Sequence, residues 1–196
     1  MPVRPAPNAP GGSVRESIDQ RRTLYRRPWR VDLVTRAGVR SPLPSTRIAA
    51  AVEHALDAAS APAPGSVTIV LTDDAELAEL NVEHLGVEGP TDVLSFPMLP
   101  PSAFGRGGAG DLELTPATAH GRRTHIGDIA ISVERAADQA EAGRGGQTGD
   151  VRWSASDELR LLLTHGVLHL CGWDHAEPGE EAAMRALERT LVAAQP

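Results

Sequence analysis

The alternation of apolar and polar positions predicts two strands and two helices in the first half of the chain. The run RVDLV at 30–34 alternates as a half-buried strand does. After two prolines, segment 45–59 is rich in alanine and spaces its larger apolar residues along one face, which predicts an amphipathic helix. SVTIVLT at 66–72 is a β-branched run typical of a strand, and DDAELAELN at 73–81 opens with the acidic residues that favour a helix N-terminus.

The second half adds two strands and three helices. DVLSF at 92–96 lies between a Gly-Pro turn and a proline, so we expect a short strand at or near a sheet edge. IGDIAISV at 126–133 is the last clear strand, and a helical segment follows it at 134–143. Two further amphipathic segments, at 154–172 and 178–194, predict a pair of closing helices.

The composition indicates one domain with an extension. A chain of 196 residues with 41% hydrophobic residues can bury one proper core. Residues 1–28 are rich in Pro, Gly, Ser and Arg without periodicity, so we expect a disordered basic extension, followed by a single domain at 29–196. No apolar run is long enough for a membrane span and the start has no export signal, so we expect a cytoplasmic protein without a membrane partner. The one cysteine, Cys171, fits a reducing compartment.

The charge argues against a protein that coats nucleic acid through bulk electrostatics. The formal net charge is −7, whereas such proteins are usually basic. Arginines are nevertheless concentrated in the first forty residues, where few acidic residues accompany them. Any contact with RNA is therefore expected to be local.

The segment HGVLHLCGWDH at 165–175 carries the strongest chemical signal. His165 and His169 are four residues apart in an apolar helix, so their imidazoles project from the same face one turn apart, as two ligands of one cation must. Gly172 follows the last helical residues, where a glycine can adopt the left-handed conformation that ends a helix. His175 can then approach as the third ligand.

Three neutral imidazoles predict one catalytic Zn²⁺ per chain, because they leave one coordination position open. We expect a zinc-bound water there, which the metal would acidify to a pKa of roughly 7, so hydrolysis is the predicted reaction class. Asp174 is a further candidate catalytic residue, through orientation of a histidine or proton transfer, although local backbone hydrogen bonding explains it as well. The four remaining histidines stand singly and receive no ligand role.

The histidine spacing also matches the metzincin protease pattern H-E-x-x-H-x-x-G-x-x-H, with one departure. Gly166 occupies the position of the glutamate that acts as the general base in those peptidases. A peptidase or another small-molecule hydrolase is therefore an alternative only if another carboxylate replaces that base.

The same segment resembles the signature H-G-x-L-H-L-x-G-[YW]-D-H of the YbeY-type endoribonucleases, a bacterial rRNA maturation family. GPTDVLSFP at 89–97 and GDIAIS at 127–132 are similar to two further segments of that family. The similarity extends through the helix with Gln139 and the closing helix with Met184 and Glu188. It covers about residue 65 to the end, with weaker support from 31 to 64.

The resemblance implies an α+β fold in which a small mixed β-sheet packs with about five helices and a metzincin-like helix and turn carry a three-histidine zinc site. It implies a metal-dependent endoribonuclease that cleaves single-stranded rRNA, notably at the 3′ end of 16S rRNA, and acts in ribosome quality control. The implied partners are rRNA and the ribosome or its small subunit. The oligomeric state stays open.

The sequence also offers candidates for the cations that would hold RNA. Arg122 and Arg123 lie at the end of a long Gly/Pro-rich loop at about 99–124 and are candidate RNA-binding residues. The family often carries an arginine in a Y-R-G sequence before its P-T-D-V segment, where this chain has Leu85. That departure favours an alternative in which the protein is a ribosome-assembly factor with a mainly structural zinc and little nuclease activity.

Overall fold

The computed structural model describes residues 18–104, 123–143, 153–174 and 178–194. Every strand and helix predicted above is present, with bounds that differ by a few residues at most. The strands are β1 (Gln20–Arg26), β2 (Trp29–Thr35), β3 (Gly65–Thr72), β4 (Val93–Pro97) and β5 (Thr124–Ser132). The helices are α1 (Ser45–Ala58), α2 (Asp74–Leu85), α3 (Val133–Glu141), α4 (Ala155–Leu170) and α5 (Pro178–Ala193).

The strands form one mixed sheet in the order β1-β2-β3-β5-β4. The three central strands β2, β3 and β5 are parallel to one another. Helix α1 connects β2 to β3, as the crossover between two parallel strands requires. The two edge strands, β1 and β4, are antiparallel to their neighbours. The predicted α+β class with a small mixed sheet and five helices is confirmed, as is the edge position of the strand at 92–96.

Strand β1 corrects the predicted N-terminal extension. Residues 20–26 were expected to be disordered, but they pair with β2 over the full strand, from Gln20 opposite Thr35 to Arg26 opposite Trp29. The segment shows no apolar alternation because it is an edge strand whose side chains are mostly exposed, so backbone hydrogen bonds rather than burial fix it. Residues 1–17 lie outside the described part of the chain.

One face of the sheet forms the main core. Val31, Val67, Ile69 and Ile131 project from this face and are fully buried, and α1 and α4 pack against the sheet beneath them. Burying each such side chain stabilises the fold by about 1.5–3 kcal/mol, so this layer dominates the packing. None of the described helices is long and apolar enough to cross a membrane.

The opposite face of the sheet is only partly covered. Helix α2 packs over one end of it, where Leu77, Leu94 and Ala130 form a small second cluster. The rest of that face carries polar side chains, including Arg21 and Asp32, which the strand register places on the side away from α1. Helix α4, which carries the predicted metal ligands His165 and His169, packs against the other face, where the main core lies.

Candidate metal centre

Helix α4 begins at a well-formed capping box. The Ser154 side chain accepts a hydrogen bond from the Asp157 backbone N–H, and the Asp157 carboxylate accepts one from the Ser154 backbone N–H at 3.0 Å. Both contacts satisfy N–H groups that the helix cannot satisfy internally. The helix then runs for sixteen residues to Leu170, so the two predicted ligands lie in its last two turns.

His165 and His169 converge as the sequence predicts. Their Nε2 atoms are 3.0 Å apart, and the two rings are nearly perpendicular, with centroids 4.4 Å apart. Two imidazole nitrogens that each lie about 2.0–2.1 Å from a tetrahedral zinc would be about 3.3 Å from one another. The pair thus fits two positions of a tetrahedral metal site with only a small adjustment.

A carboxylate from α5 stands behind the first ligand. The Nδ1 atom of His165 lies 2.6 Å from Oε1 of Glu188, whose side chain is only 11% exposed. A carboxylate at this position accepts the Nδ1 proton and leaves the Nε2 lone pair free to bind a cation. The sequence analysis named Glu188 only as part of the similarity to the family. His165 and Glu188 are 23 residues apart, and nothing in that separation indicates the contact.

The turn after α4 has the predicted left-handed glycine. Gly172 has a φ of 77°, its N–H donates to the carbonyl of His169, and the N–H of Trp173 donates to the carbonyl of Leu168, each at 3.0 Å. These two bonds define a Schellman motif, which ends the helix and reverses the chain. A Cβ at Gly172 would lie 2.9 Å from the Cβ of Pro101, so the turn also has no room for a side chain.

The third predicted ligand, His175, lies outside the described residues. Asp174, the residue before it, is described and is exposed. Among the residues that the structure describes, no group of three or more His, Cys, Asp or Glu side chains is arranged to hold a metal ion. Two of the three predicted ligands, His165 and His169, are therefore among the described residues. The role of Asp174 stays a prediction.

Gly166 faces the sheet rather than the histidine pair. A Cβ at this position would lie 3.0 Å from Cγ2 of Ile129 and 3.2 Å from Cγ2 of Val93. The Ser95 hydroxyl donates to the Gly166 carbonyl at 3.1 Å, and this hydrogen bond joins α4 to the edge strand β4. The glycine that replaces the peptidase glutamate is thus explained by the close approach of helix and sheet.

The segments at 89–97 and 127–132, which are also similar to the family, form hydrogen bonds that join elements of the fold. The Asp92 carboxylate accepts a hydrogen bond from the Gln139 side chain at 2.8 Å, and its carbonyl accepts one from the Ser132 N–H at 3.0 Å. The Ser132 hydroxyl in turn caps α3 by accepting from the N–H of Arg135. These residues join α3 to the edge of the sheet beside α4.

Arg123 is not brought to the histidine pair. Its guanidinium lies 5.5 Å from the ring centroid of Tyr25, and the strand register places that ring on the sheet face opposite α4. Arg122 lies outside the described residues. Leu85, at the position of the family arginine, is the last residue of α2 and is 62% exposed. The predicted RNA-binding roles of Arg122 and Arg123 stay predictions.

Cys171 is a packing residue. It is 1% exposed, and burial raises the pKa of its thiol to about 12. A thiolate is the form that binds metal, so this buried thiol is a poor candidate for a fourth ligand.

Comparisons with known proteins place the chain among endoribonucleases. The family model described as Endoribonuclease YbeY matches residues 38–195. An Endoribonuclease YbeY from Thermobifida fusca is 37% identical over 165 residues, which are 83% of this chain and 92% of that protein. One from Salinispora tropica is 40% identical over 150 residues, 74% of this chain and 84% of that protein. A solution structure of a Thermotoga maritima protein has a TM-score of 0.47 at 21% identity, covering 84% of this chain and 86% of its own, a similarity too weak to bear on function.

Proposed function

The chain belongs to the YbeY family of endoribonucleases, and we propose that it is a metal-dependent endoribonuclease that cleaves single-stranded RNA during rRNA maturation. The observation that carries the metal dependence is the convergence of His165 and His169, with Nε2 atoms 3.0 Å apart and Glu188 behind the first ring. Two imidazoles oriented in this way suit a divalent cation that, like Zn²⁺, prefers nitrogen ligands.

The proposed ligand set is His165, His169 and His175, with one Zn²⁺ per chain. The Schellman motif at Gly172 supports the third ligand, since it ends the helix and reverses the chain three positions before His175 in the sequence. When bound, zinc supplies Lewis-acid chemistry, which polarises a phosphoryl oxygen and acidifies water near neutral pH.

The remaining chemistry is assigned to the chain's own residues. Glu188 holds the Nδ1 proton of His165 and so keeps the ring in the tautomer that presents Nε2. Asp174, exposed at the turn, is the candidate to accept a proton from water or return one to the leaving oxygen. Gly166 supplies no carboxylate and has no space for one, which disfavours peptide hydrolysis.

The substrate is proposed from the family. Its members among the compared proteins are named endoribonucleases, and we infer that the biological substrate is rRNA, in particular the 3′ end of 16S rRNA on the small ribosomal subunit. A role in ribosome quality control and a cytoplasmic location belong to the same proposal.

The test is cleavage of a 16S rRNA 3′-precursor by the purified protein, with the same RNA annealed to a complementary strand as the substrate control. We expect cleavage of the single-stranded RNA alone, and its loss in His165→Ala. A matched control is His125→Ala, an exposed histidine on β5 that pairs with Asp128 and belongs to no metal site in this proposal. Equal cleavage by wild type and His165→Ala would contradict the proposal and leave the assembly-factor alternative.

A further inference from the structure

The turn that ends α4 is in direct contact with a short 3₁₀ helix, Pro101–Ala103. A Cβ built on Gly172 would lie 2.9 Å from the Cβ of Pro101, 3.0 Å from its Cα and 3.5 Å from its Cγ. Apart from the turn's own neighbours in the chain, these are the three nearest described atoms. One residue, Pro101, therefore packs closely against the backbone of the turn, and close packing resists displacement of the groups in contact.

Pro101 is itself fixed relative to the sheet. Before the 3₁₀ helix, the N–H of Met98 donates to the carbonyl of Ile126 at 2.9 Å, which extends the pairing of β4 with β5 by one residue. After it, Phe104 is buried in the main core, and its N–H donates to the carbonyl of Pro101 at 3.1 Å. The residue that contacts the turn is thus held on both sides by the sheet and the core.

The end of α4 is fixed to the sheet by a separate contact. Leu170, the last residue of α4, is fully buried, and its Cδ2 would lie 2.7 Å from a Cβ built on Gly127 of β5. The turn then begins with the bond from the Gly172 N–H to the carbonyl of His169. Since the helix is held by Leu170, the orientation of the turn beyond it depends on what packs against Gly172, and that residue is Pro101.

The orientation of this turn matters for the proposed metal site. Two of the proposed ligands, His165 and His169, belong to the helix, whereas His175 follows Gly172 by three positions in the sequence. Ligand atoms must reach a metal to within about 0.2 Å of the ideal distances. A residue that holds the turn therefore contributes to metal affinity without touching the metal, as residues behind the ligands commonly do.

We propose that Pro101 is a positioning residue of the metal site, which holds the turn at Gly172 in the orientation that metal binding requires. This inference rests on the proposed function, since it needs a metal bound by the three histidines. A proline suits the role because its φ is fixed and its ring loses almost no side-chain entropy on packing. The glycine suits it because any side chain at position 172 would meet Pro101.

The experiment compares three variants of the full-length protein. Pro101→Gly removes the packed ring and frees the backbone, whereas Pro100→Gly makes the same change one residue earlier, where no atom is among those nearest Gly172. Pro101→Ala keeps the Cβ, which is the atom nearest the turn. Zinc affinity is measured by competition with a chromophoric chelator, and the visible absorption of each protein is recorded when it is saturated with Co²⁺.

Folding of the variants is verified separately. Pro101 is exposed, so its replacement removes no core side chain and all three variants are expected to fold. Circular dichroism melts of the metal-free proteins verify this, and both metal measurements are made below the lowest melting temperature. The metal readouts therefore report the site rather than a fraction of unfolded protein.

Pro101→Gly is expected to bind zinc about tenfold more weakly than wild type, the lower end of the range for residues that act through a ligand. Its Co²⁺ absorption should also lose intensity, because a site that holds its third ligand less firmly departs from tetrahedral geometry. Pro100→Gly and Pro101→Ala should match wild type in both measurements. A loss of stability alone would leave the spectrum of the fully loaded protein unchanged.

The inference is overturned if the two glycine variants bind zinc equally well and give the same Co²⁺ spectrum, whether both match wild type or both are weakened. In the first case the contact has no effect on the site, and in the second the added backbone freedom explains the loss. A wild-type protein that binds no zinc would instead contradict the proposed function, because none of these measurements depends on RNA cleavage.

Discussion

Removal of the carboxylate behind His165 should weaken metal binding. Glu188 lies 2.6 Å from Nδ1 of His165 and is largely buried, so in Glu188→Ala the ring loses both its orientation and the acceptor for its proton. Partners of this kind typically contribute 10–100-fold to metal affinity, which is about 1.4–2.8 kcal/mol. The low exposure of this carboxylate places the expected loss toward the upper end of that range. Competition with a chromophoric zinc chelator measures it without any reference to catalysis.

Two further variants make this measurement specific. Glu188→Gln keeps the shape and an acceptor oxygen but removes the charge, so we expect a smaller loss, roughly threefold to tenfold. Glu181→Ala removes a carboxylate two turns earlier on α5, where it pairs with Arg185 at the surface, and should leave zinc affinity unchanged. If folded Glu188→Ala binds zinc as tightly as wild type, the contact does not position the ligand and the reasoning is refuted.

Three other predictions concern stability and reactivity. Gly127→Ala would place a Cβ against the backbone carbonyl oxygen of Phe96 in β4, so chemical denaturation should show a free energy of unfolding lower by about 3 kcal/mol. Gly179→Ala, which has open space around it, should leave the free energy of unfolding almost unchanged. Cys171, with its raised pKa and 1% exposure, should resist iodoacetamide at pH 8 until the protein unfolds; rapid labelling of native protein would contradict this. Arg36 lowers the pKa of the Glu76 carboxyl, so this pair stabilises the fold above the unfolded pKa and the contribution is lost as pH falls through the lower folded value. Glu76→Gln should therefore cost about 1 kcal/mol at pH 7 and much less at pH 3, as urea midpoints would report.

The sequence predicted the elements whose side chains alternate between core and solvent. The strands at 66–72 and 126–133 and the helix at 45–59 were recognisable because burial of one face imposes a period on the sequence. Strand β1 was missed because its residues are mostly exposed and its order comes from backbone pairing, which leaves no apolar period.

The candidate site divides in the same way. His165 and His169 were predictable because their spacing places both on one face of a helix, a local property of the chain. The contact of Glu188 with His165 and the bond from Gln139 to Asp92 join distant segments, so only the folded chain reveals them. Gly166 was noticed as a missing base, and its cause, the close approach of α4 to the sheet, is a property of packing.

The most direct test of the account is a metal titration of chelator-stripped protein with an RNA cleavage readout. Zinc is added in increments to wild type and to folded His169→Ala, and cleavage of the single-stranded 16S rRNA 3′-precursor is followed at each step. The account predicts that wild-type activity returns and saturates at one zinc per chain, while His169→Ala neither retains zinc nor regains activity. Full cleavage by stripped wild type, or equal recovery by His169→Ala, would contradict it.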